Sequence, residues 1–369
     1  MFSKTPKTFI AAVVATVFTG ASFNVSAQAP AGYPADYANT VEGAKKEGKV
    51  VIYSATDSKA VEPLIKDFSA LYPGVKVEYN DMNSTEVYNR FISEAAAGGA
   101  TADLLWSSAM DLQVKLVSDG YALAYKSPEA KALPAWANWN DSAYGTTFEP
   151  LVFVYNKRLV PADEVPTTHA EFAKLVTDKA DKYKGKVTTY DIEKAGVGFT
   201  FITNDLKQNP QFWDFAKALG SAELRVQSST GTMLERISSG ENLIGYNIIG
   251  SYALARAKKD PSIGVEFSKD YNLVLSRVMF INKAAKNMNA AKLWLDYVLS
   301  KRGQTVVANE SKLFAIRADV TGETTSAELV QKLGGALKPL PIGPQMLQYL
   351  DQTRRLAFLK QWKEVTGKK

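Results

Sequence analysis

The chain holds 369 residues, 46% of them hydrophobic and 22% charged, with a formal net charge of +6. That is apolar material enough for two globular lobes, and too mild a basic excess for a nucleic-acid-binding surface. The absence of cysteine and the single histidine, His169, remove disulfides, thiolate metal sites and cysteine nucleophiles and leave a histidine-dependent hydrolase one residue to use, so the composition favours binding without a cofactor or resident metal over catalysis.

Residues 1–27 read as a secretory signal peptide. Lys4 and Lys7 precede an apolar run from Phe9 to Phe18, and the segment ends in the small Val25-Ser26-Ala27. The run is shorter than the roughly 20 residues that span a bilayer, so cleavage and export to the periplasm are expected. A cysteine-free chain is compatible with that compartment.

Strands then alternate with helices. Lys49 to Tyr53 is a β-branched run predicted as a buried strand, followed by the polar loop Ser54 to Ser58. Val61, Leu64, Ile65 and Phe68 recur at helical spacing until Pro73-Gly74. Val75 to Tyr79 alternates as a second strand, Tyr88, Phe91, Ile92 and Ala95 mark a second helix, and Asp103 to Trp106 is a third strand ending in Ser107-Ser108. This order implies a parallel sheet with right-handed crossovers, whose ligands bind beyond the carboxyl ends of the strands. Ser54, Thr56, Asp57, Ser107 and Ser108 are therefore candidate ligand contacts.

Phe148 to Lys157 is predicted as another strand. Thr168 to Glu171 forms a capping-box pattern, which makes His169 a first-turn residue on a helix surface. Further strands are expected at Lys186 to Tyr190, Leu243 to Asn247 and Leu273 to Ile281, with helices at Phe212 to Leu219 and around Ala291 to Leu299. Ser228 to Thr232 precedes a short helical pattern, so Ser229, Thr230 and Gly231 offer hydroxyls and free amides where an anion is favoured. Ordinary N-capping, worth about 1 kcal/mol per helix, would explain the same residues. Asp191 and Glu193 follow the strand ending at Tyr190, and such carboxylates accept paired hydrogen bonds from sugar hydroxyls. A solvated acidic turn explains them equally well.

The ordered segments Val50 to Ser54, "FSALYPGV" at Phe68 to Val75, "ADLLWS" at Ala102 to Ser107, "VFVYNKRLV" at Val152 to Val160, "PTTHAEF" at Pro166 to Phe172 and "LSKRGQ" at Leu299 to Gln304 resemble the extracellular solute-binding proteins of bacterial ABC importers. The nearest resemblance is to the branch of ferric-ion-binding proteins and their relatives that bind phosphorylated sugars and organophosphonates. It implies an α/β, two-lobed, type II periplasmic-binding-protein fold with discontinuous lobes, hinge strands and a ligand cleft between them. Residues 28–147 would begin lobe I, 148–275 would form lobe II, and 276–369 would hold the return to lobe I and C-terminal helices. Crossings are expected near Thr146 to Val152 and Leu273 to Ile281, where Thr146, Thr147 and Glu149 either touch ligand or satisfy the hinge backbone.

In the iron-binding members a tyrosine pair ligates the metal just before a segment ending Tyr-Asn-Leu-Ala-Arg. Aligned on Tyr252 to Arg256, that pair falls here on Ile249 and Gly250, which offer a hard ferric ion no donor. Tyr246, Asn247 and Tyr252 remain nearby polar candidates. The expectation is a monomeric receptor for a small anionic organic solute, a sugar phosphate foremost, docking on an ABC permease in the inner membrane. A ferric-ion receptor and an organophosphonate receptor are the alternatives.

Overall fold

The computed structural model describes Met1 and residues 30–99 and 102–367, so the signal-peptide reading of 1–27 lies outside the described residues apart from Met1. Thirteen strands are described: β1 Lys49–Ser54, β2 Lys76–Asp81, β3 Leu104–Ser107, β4 Asn138–Trp139, β5 Ala143–Gly145, β6 Glu149–Asn156, β7 Val187–Tyr190, β8 Arg225–Gln227, β9 Ile244–Ile249, β10 Ile263–Glu266, β11 Asn272–Leu275, β12 Val278–Ile281 and β13 Leu337–Pro339. They form two sheets. The first runs β2-β1-β3-β12-β5-β4 and the second β13-β11-β6-β9-β7-β8, with β10 also on β6. β1 lies parallel to β2 and to β3, as crossover helices require.

Each sheet has its own core because helices cover it. In the first lobe, Phe68 packs edge-on against Trp294 at 5.0 Å and against Tyr297 at 5.4 Å, joining helix Ser58–Leu71 to helix Met288–Leu299. In the second, Phe153, Phe172, Phe215 and Tyr246 form an aromatic cluster. His169 belongs to that cluster, which corrects the expected surface position. Its residue is 5% exposed, its ring stacks on Tyr271 at 4.0 Å, and Nδ1 lies 3.0 Å from the Asp270 carboxylate. The cap itself is present, with Thr168 Oγ1 accepting from Glu171 N. The first turn faces inward because Phe153 and Phe215 both need a flat partner there.

Strands carry the chain between lobes where the resemblance implied. β5 belongs to the first sheet and β6 to the second, with Thr146 to Phe148 between them; β11 and β12 are likewise in different sheets, separated by Ser276 and Arg277. The run Leu273 to Ile281 is thus two strands rather than one. A second correction concerns the C-terminus. β13 pairs in parallel with β11, and helix Gln352–Thr366 buries Phe358 and Trp362, one turn apart, against Phe199 and Phe212 of the second lobe. The return to lobe I therefore does not extend to residue 369. Those two aromatic rings find their complementary surface only on the second lobe.

Candidate functional site

A cavity of about 240 Å³ lies between the sheets, lined from the first lobe by Asp57, Asp81, Asn83, Ser84 and Ser108, from the second by Tyr190, Ser228 to Gly231, Ile249 and Tyr252, and at the crossing by Arg277. Its walls are helix beginnings. Helices starting at Ser58, Ser84, Met110, Gly196, Thr230 and Gly250 each place a first-turn or immediately flanking residue on it. A helix start carries partial positive charge, so six such ends around one space favour an anion, with the first amides of two of them already engaged: Ser58 N by Asp81, and Gly196 N and Val197 N by Thr85 and Ser84.

Arg277 holds a fixed charge at the base. Its side chain is wholly buried, with Nε donating to Glu149 Oε1 at 2.5 Å, Nη2 to Glu149 Oε2 at 3.3 Å and Nη1 to Thr56 Oγ1 at 3.0 Å. Three of the five donors of a guanidinium are thereby engaged, and two remain for a ligand oxygen. Burial alone would lower the Arg277 pKa, but the Glu149 carboxylate more than offsets it and the group stays cationic. The Tyr252 ring lies over the guanidinium at 5.1 Å. Burial pushes the Tyr252 phenol up to about 12, so at neutral pH it is an uncharged hydroxyl, here accepting from Asp57 N across the cleft at 3.3 Å.

Two carboxylates face this positive base. Asp81 accepts from Ser58 N at 2.7 Å and Ser58 Oγ at 3.1 Å. Burial raises the Asp57 pKa, Arg277 draws it back, and Asp81 adds to the rise. The cavity lining therefore holds both hydrogen-bond donors and carboxylate acceptors.

Of the sequence-predicted residues, Asp57, Ser108, Ser229, Thr230, Gly231 and Tyr252 line the cavity. Ser229 is also an N-cap, accepting from Thr232 N, and the Thr230 hydroxyl is paired with Tyr190 Oη. What they can still offer a ligand is backbone amide at the helix start. A second set builds the hinge beneath the cavity. Thr146 Oγ1 accepts from Trp106 Nε1 and donates to Arg277 O, Thr147 Oγ1 accepts from Arg277 N, Glu149 holds Arg277, and Thr56 caps it. Ser54 and Ser107 accept from the amides of Thr56 and Ala109 in their own turns.

A third set lies elsewhere. Asp191 Oδ1 accepts from Glu193 N and Lys194 N, and Glu193 pairs with Lys363 of the last helix at 2.8 Å. The carboxylates of the cavity are instead Asp57 and Asp81. Asn247, with φ at 57°, donates to buried Asp205 together with Tyr246 Oη. Tyr246 thus points into the second-lobe core, and among the described residues no group of three or more Asp, Glu or His side chains could hold a metal ion.

Arg277, Asp81, Asn83, Ser84 and Tyr190 are lining residues that the sequence reading did not single out. Arg277 carried a signal: one charge, beside Ser276, inside the mostly apolar Leu273 to Ile281, which a buried strand tolerates only with a partner. Asp81 to Ser84 follow a parallel strand, as Ser54 to Ser58 do, and the same rule would have found them.

Two α/β lobes joined by extended crossings around a polar cleft are the architecture of a solute-binding protein. The chain belongs to the family of bacterial extracellular solute-binding proteins, whose model matches residues 63–332. A substrate-binding protein of an ABC transporter from Agrobacterium tumefaciens is 39% identical with a TM-score of 0.83, the match covering 89% of this chain and 96% of that one. AfuA from Actinobacillus pleuropneumoniae, solved with exogenous fructose-6-phosphate bound, is 19% identical with a TM-score of 0.68, covering 87% and 99%. Iron-bound HitA from Pseudomonas aeruginosa is 16% identical with a TM-score of 0.64, covering 86% and 99%. These last two share the fold. Family and fold are those of ABC-importer substrate-binding proteins rather than of enzymes.

Proposed function

We propose that this protein captures a small phosphorylated organic solute, a sugar phosphate fitting best, and presents it in the periplasm, as a monomer, to an inner-membrane ABC permease. The observation that carries the reading is the convergence of Arg277 and six helix beginnings on one cavity that also holds Asp57 and Asp81. Arginine and first-turn amides suit a phosphate group, and the two carboxylates suit hydroxyls on the rest of the molecule. The bound fructose-6-phosphate of AfuA, on the same fold, supports the same class. Organophosphonates satisfy the anion half of this arrangement alone. Contacts made by both lobes exist only when the cleft is shut, and a differential of about 5.5 kcal/mol carries a 1:99 equilibrium to 99:1.

The test is a thermal-shift screen of signal-peptide-free protein against hexose phosphates, glycerol phosphates, phosphonates, inorganic phosphate, dicarboxylates and ferric citrate. A hexose phosphate at a hundred times its dissociation constant should add about 2.7 kcal/mol of stability and raise the melting temperature measurably. A shift with ferric citrate alone, accompanied by a visible iron–phenolate colour, would establish a metal receptor instead. Replacing Thr230 with valine removes the hydroxyl paired with Tyr190 at the helix start. Isothermal calorimetry should then show binding about tenfold weaker, and an unchanged dissociation constant would take the Thr230 hydroxyl out of the site.

A further inference from the structure

At the lip of the cleft the two lobes touch through hydroxyls of one and the bare helix start of the other. Helix Gly196–Gln208 of the second lobe has an alanine, Ala195, at its N-cap position and no side-chain cap of its own. Alanine is among the poorest residues there, since it offers its first turn no acceptor. The acceptors come from the first lobe: Gly196 N donates to Thr85 Oγ1 at 3.1 Å and Val197 N to Ser84 Oγ at 3.3 Å, while Thr85 Oγ1 donates to Lys194 O at 3.0 Å. Thr85 thus makes two hydrogen bonds across the gap. Its own turn is held rigid by a capping box, with Asn83 Oδ1 accepting from Glu86 N and Glu86 Oε2 accepting from Asn83 N.

Packing at the same point is equally close. A Cβ built on Gly196 would meet Leu112 Cδ1 at 2.8 Å, with Ala109 Cβ and Ser84 Oγ at 3.5 Å. All three belong to the first lobe, so the lobes pack closely here and an added methyl would displace the Leu112 side chain. Thr85 is absent from the cavity lining, whereas Ser84 and Val197 are part of it.

We propose that Thr85 is a positioning residue that caps the Gly196–Gln208 helix from the opposite lobe, and that this contact, seated against Gly196, gives the closed form a standing population before any solute arrives and so sets affinity. The inference does not depend on which solute is bound. Separating the lobes at this contact exchanges its three hydrogen bonds for water and leaves the helix start uncapped, a cost borne only by the open form. Each bond is modest in net terms, yet together they shift an equilibrium between two shapes of similar free energy.

The absence of cysteine allows clean spin labelling at Lys66→Cys on helix Ser58–Leu71 and Lys217→Cys on helix Phe212–Ser221, both exposed. Interlobe distances are measured by pulsed electron resonance without solute, and affinity for fructose 6-phosphate by calorimetry. Thr85→Val should reduce the closed fraction and weaken binding about tenfold, Thr85→Ser should restore both, and Gly196→Ala should open the ensemble further. A parent with no closed population in the absence of solute, or a Thr85→Val protein whose distances match the parent's, overturns the proposal. Because the distances are read without solute, failure of fructose 6-phosphate to bind counts against the ligand class and not against this contact.

Discussion

Replacing Arg277 with methionine should lower the unfolding free energy at pH 7 by about 3–5 kcal/mol, the typical cost of stranding one member of a buried ion pair, and should abolish measurable binding of a phosphorylated solute. The stability loss comes from Glu149, which is wholly buried, pairs with Arg277 and also accepts from Ser251 Oγ. A charge so placed has no access to water and keeps only the serine hydroxyl. The binding loss comes from the same atom group for a different reason, since Arg277 is the cationic side chain in the cavity lining. The double replacement Arg277→Met with Glu149→Leu separates the two effects. It should recover much of the stability in urea unfolding, because a buried pair exchanged for apolar side chains of similar volume is often neutral, while binding stays lost. A single Arg277→Met protein that still binds a hexose phosphate within tenfold of the parent would show that the anion sits elsewhere.

This residue also shows where sequence reasoning stops. The strand–helix–strand–helix–strand run from Lys49 to Trp106 was legible because its signals are local: β-branched runs such as Lys49 to Tyr53, helical spacing such as Val61 to Phe68, and a Pro-Gly or Gly-Gly stop. The polar loops beyond those strands were legible by topology. Leu273 to Ile281 was not, since nine strand-forming residues in a row carry no local mark of passing from one sheet to the other; only Ser276 and Arg277, meeting Thr146, Thr147 and Glu149 more than a hundred residues away in sequence, make the break. Helix Gly196–Gln208 was missed for the opposite reason. Its glycines, phenylalanines and threonines are weak helix formers, and the helix exists because ten of its thirteen residues are buried. The polar partners Asp57 and Tyr252 meet only after both lobes have formed, and no spacing rule reaches across that distance.

Stability should also fall as pH rises from about 4 to 6.5, opposite in sign to the usual acid denaturation. Burial lifts both Asp111 and Asp296 to about 6. Asp296 accepts from Tyr37 Oη at 2.7 Å, Tyr125 Oη at 2.6 Å and Ser127 Oγ at 2.6 Å, and these bonds favour the anion without cancelling its desolvation. Asp111 accepts from Thr200 Oγ1 at 2.5 Å and Leu112 N at 2.9 Å, with the Arg355 charge helping less than burial hinders. Below the unfolded carboxyl pKa, near 3.9, both states are protonated and nothing is lost. As pH rises through the folded pKa the unfolded chain has already released its proton while the folded protein holds it, so each group withdraws stability, about 3 kcal/mol at most from a shift of roughly two units. Glu164 and Asp260 act the other way. Burial of Glu164 is outweighed by Lys182, Lys179 and Tyr183, and Asp260 is held down by Ser238 and Ser262, each to about 2, so their contribution is lost only as pH falls below about 4.5. The two windows meet near the unfolded carboxyl values, and the unfolding free energy should peak near about pH 4. Asp296→Asn keeps an acceptor for Tyr37 and Tyr125, turns an amide donor toward Ser127 Oγ, and removes the titration. Urea unfolding of this variant across pH 4–7 should show a shallower slope than the parent, with Asp111 and the other raised carboxylates Asp57, Asp205 and Glu266 supplying the remainder, and an unaltered slope would mean that Asp296 stays ionised throughout that range.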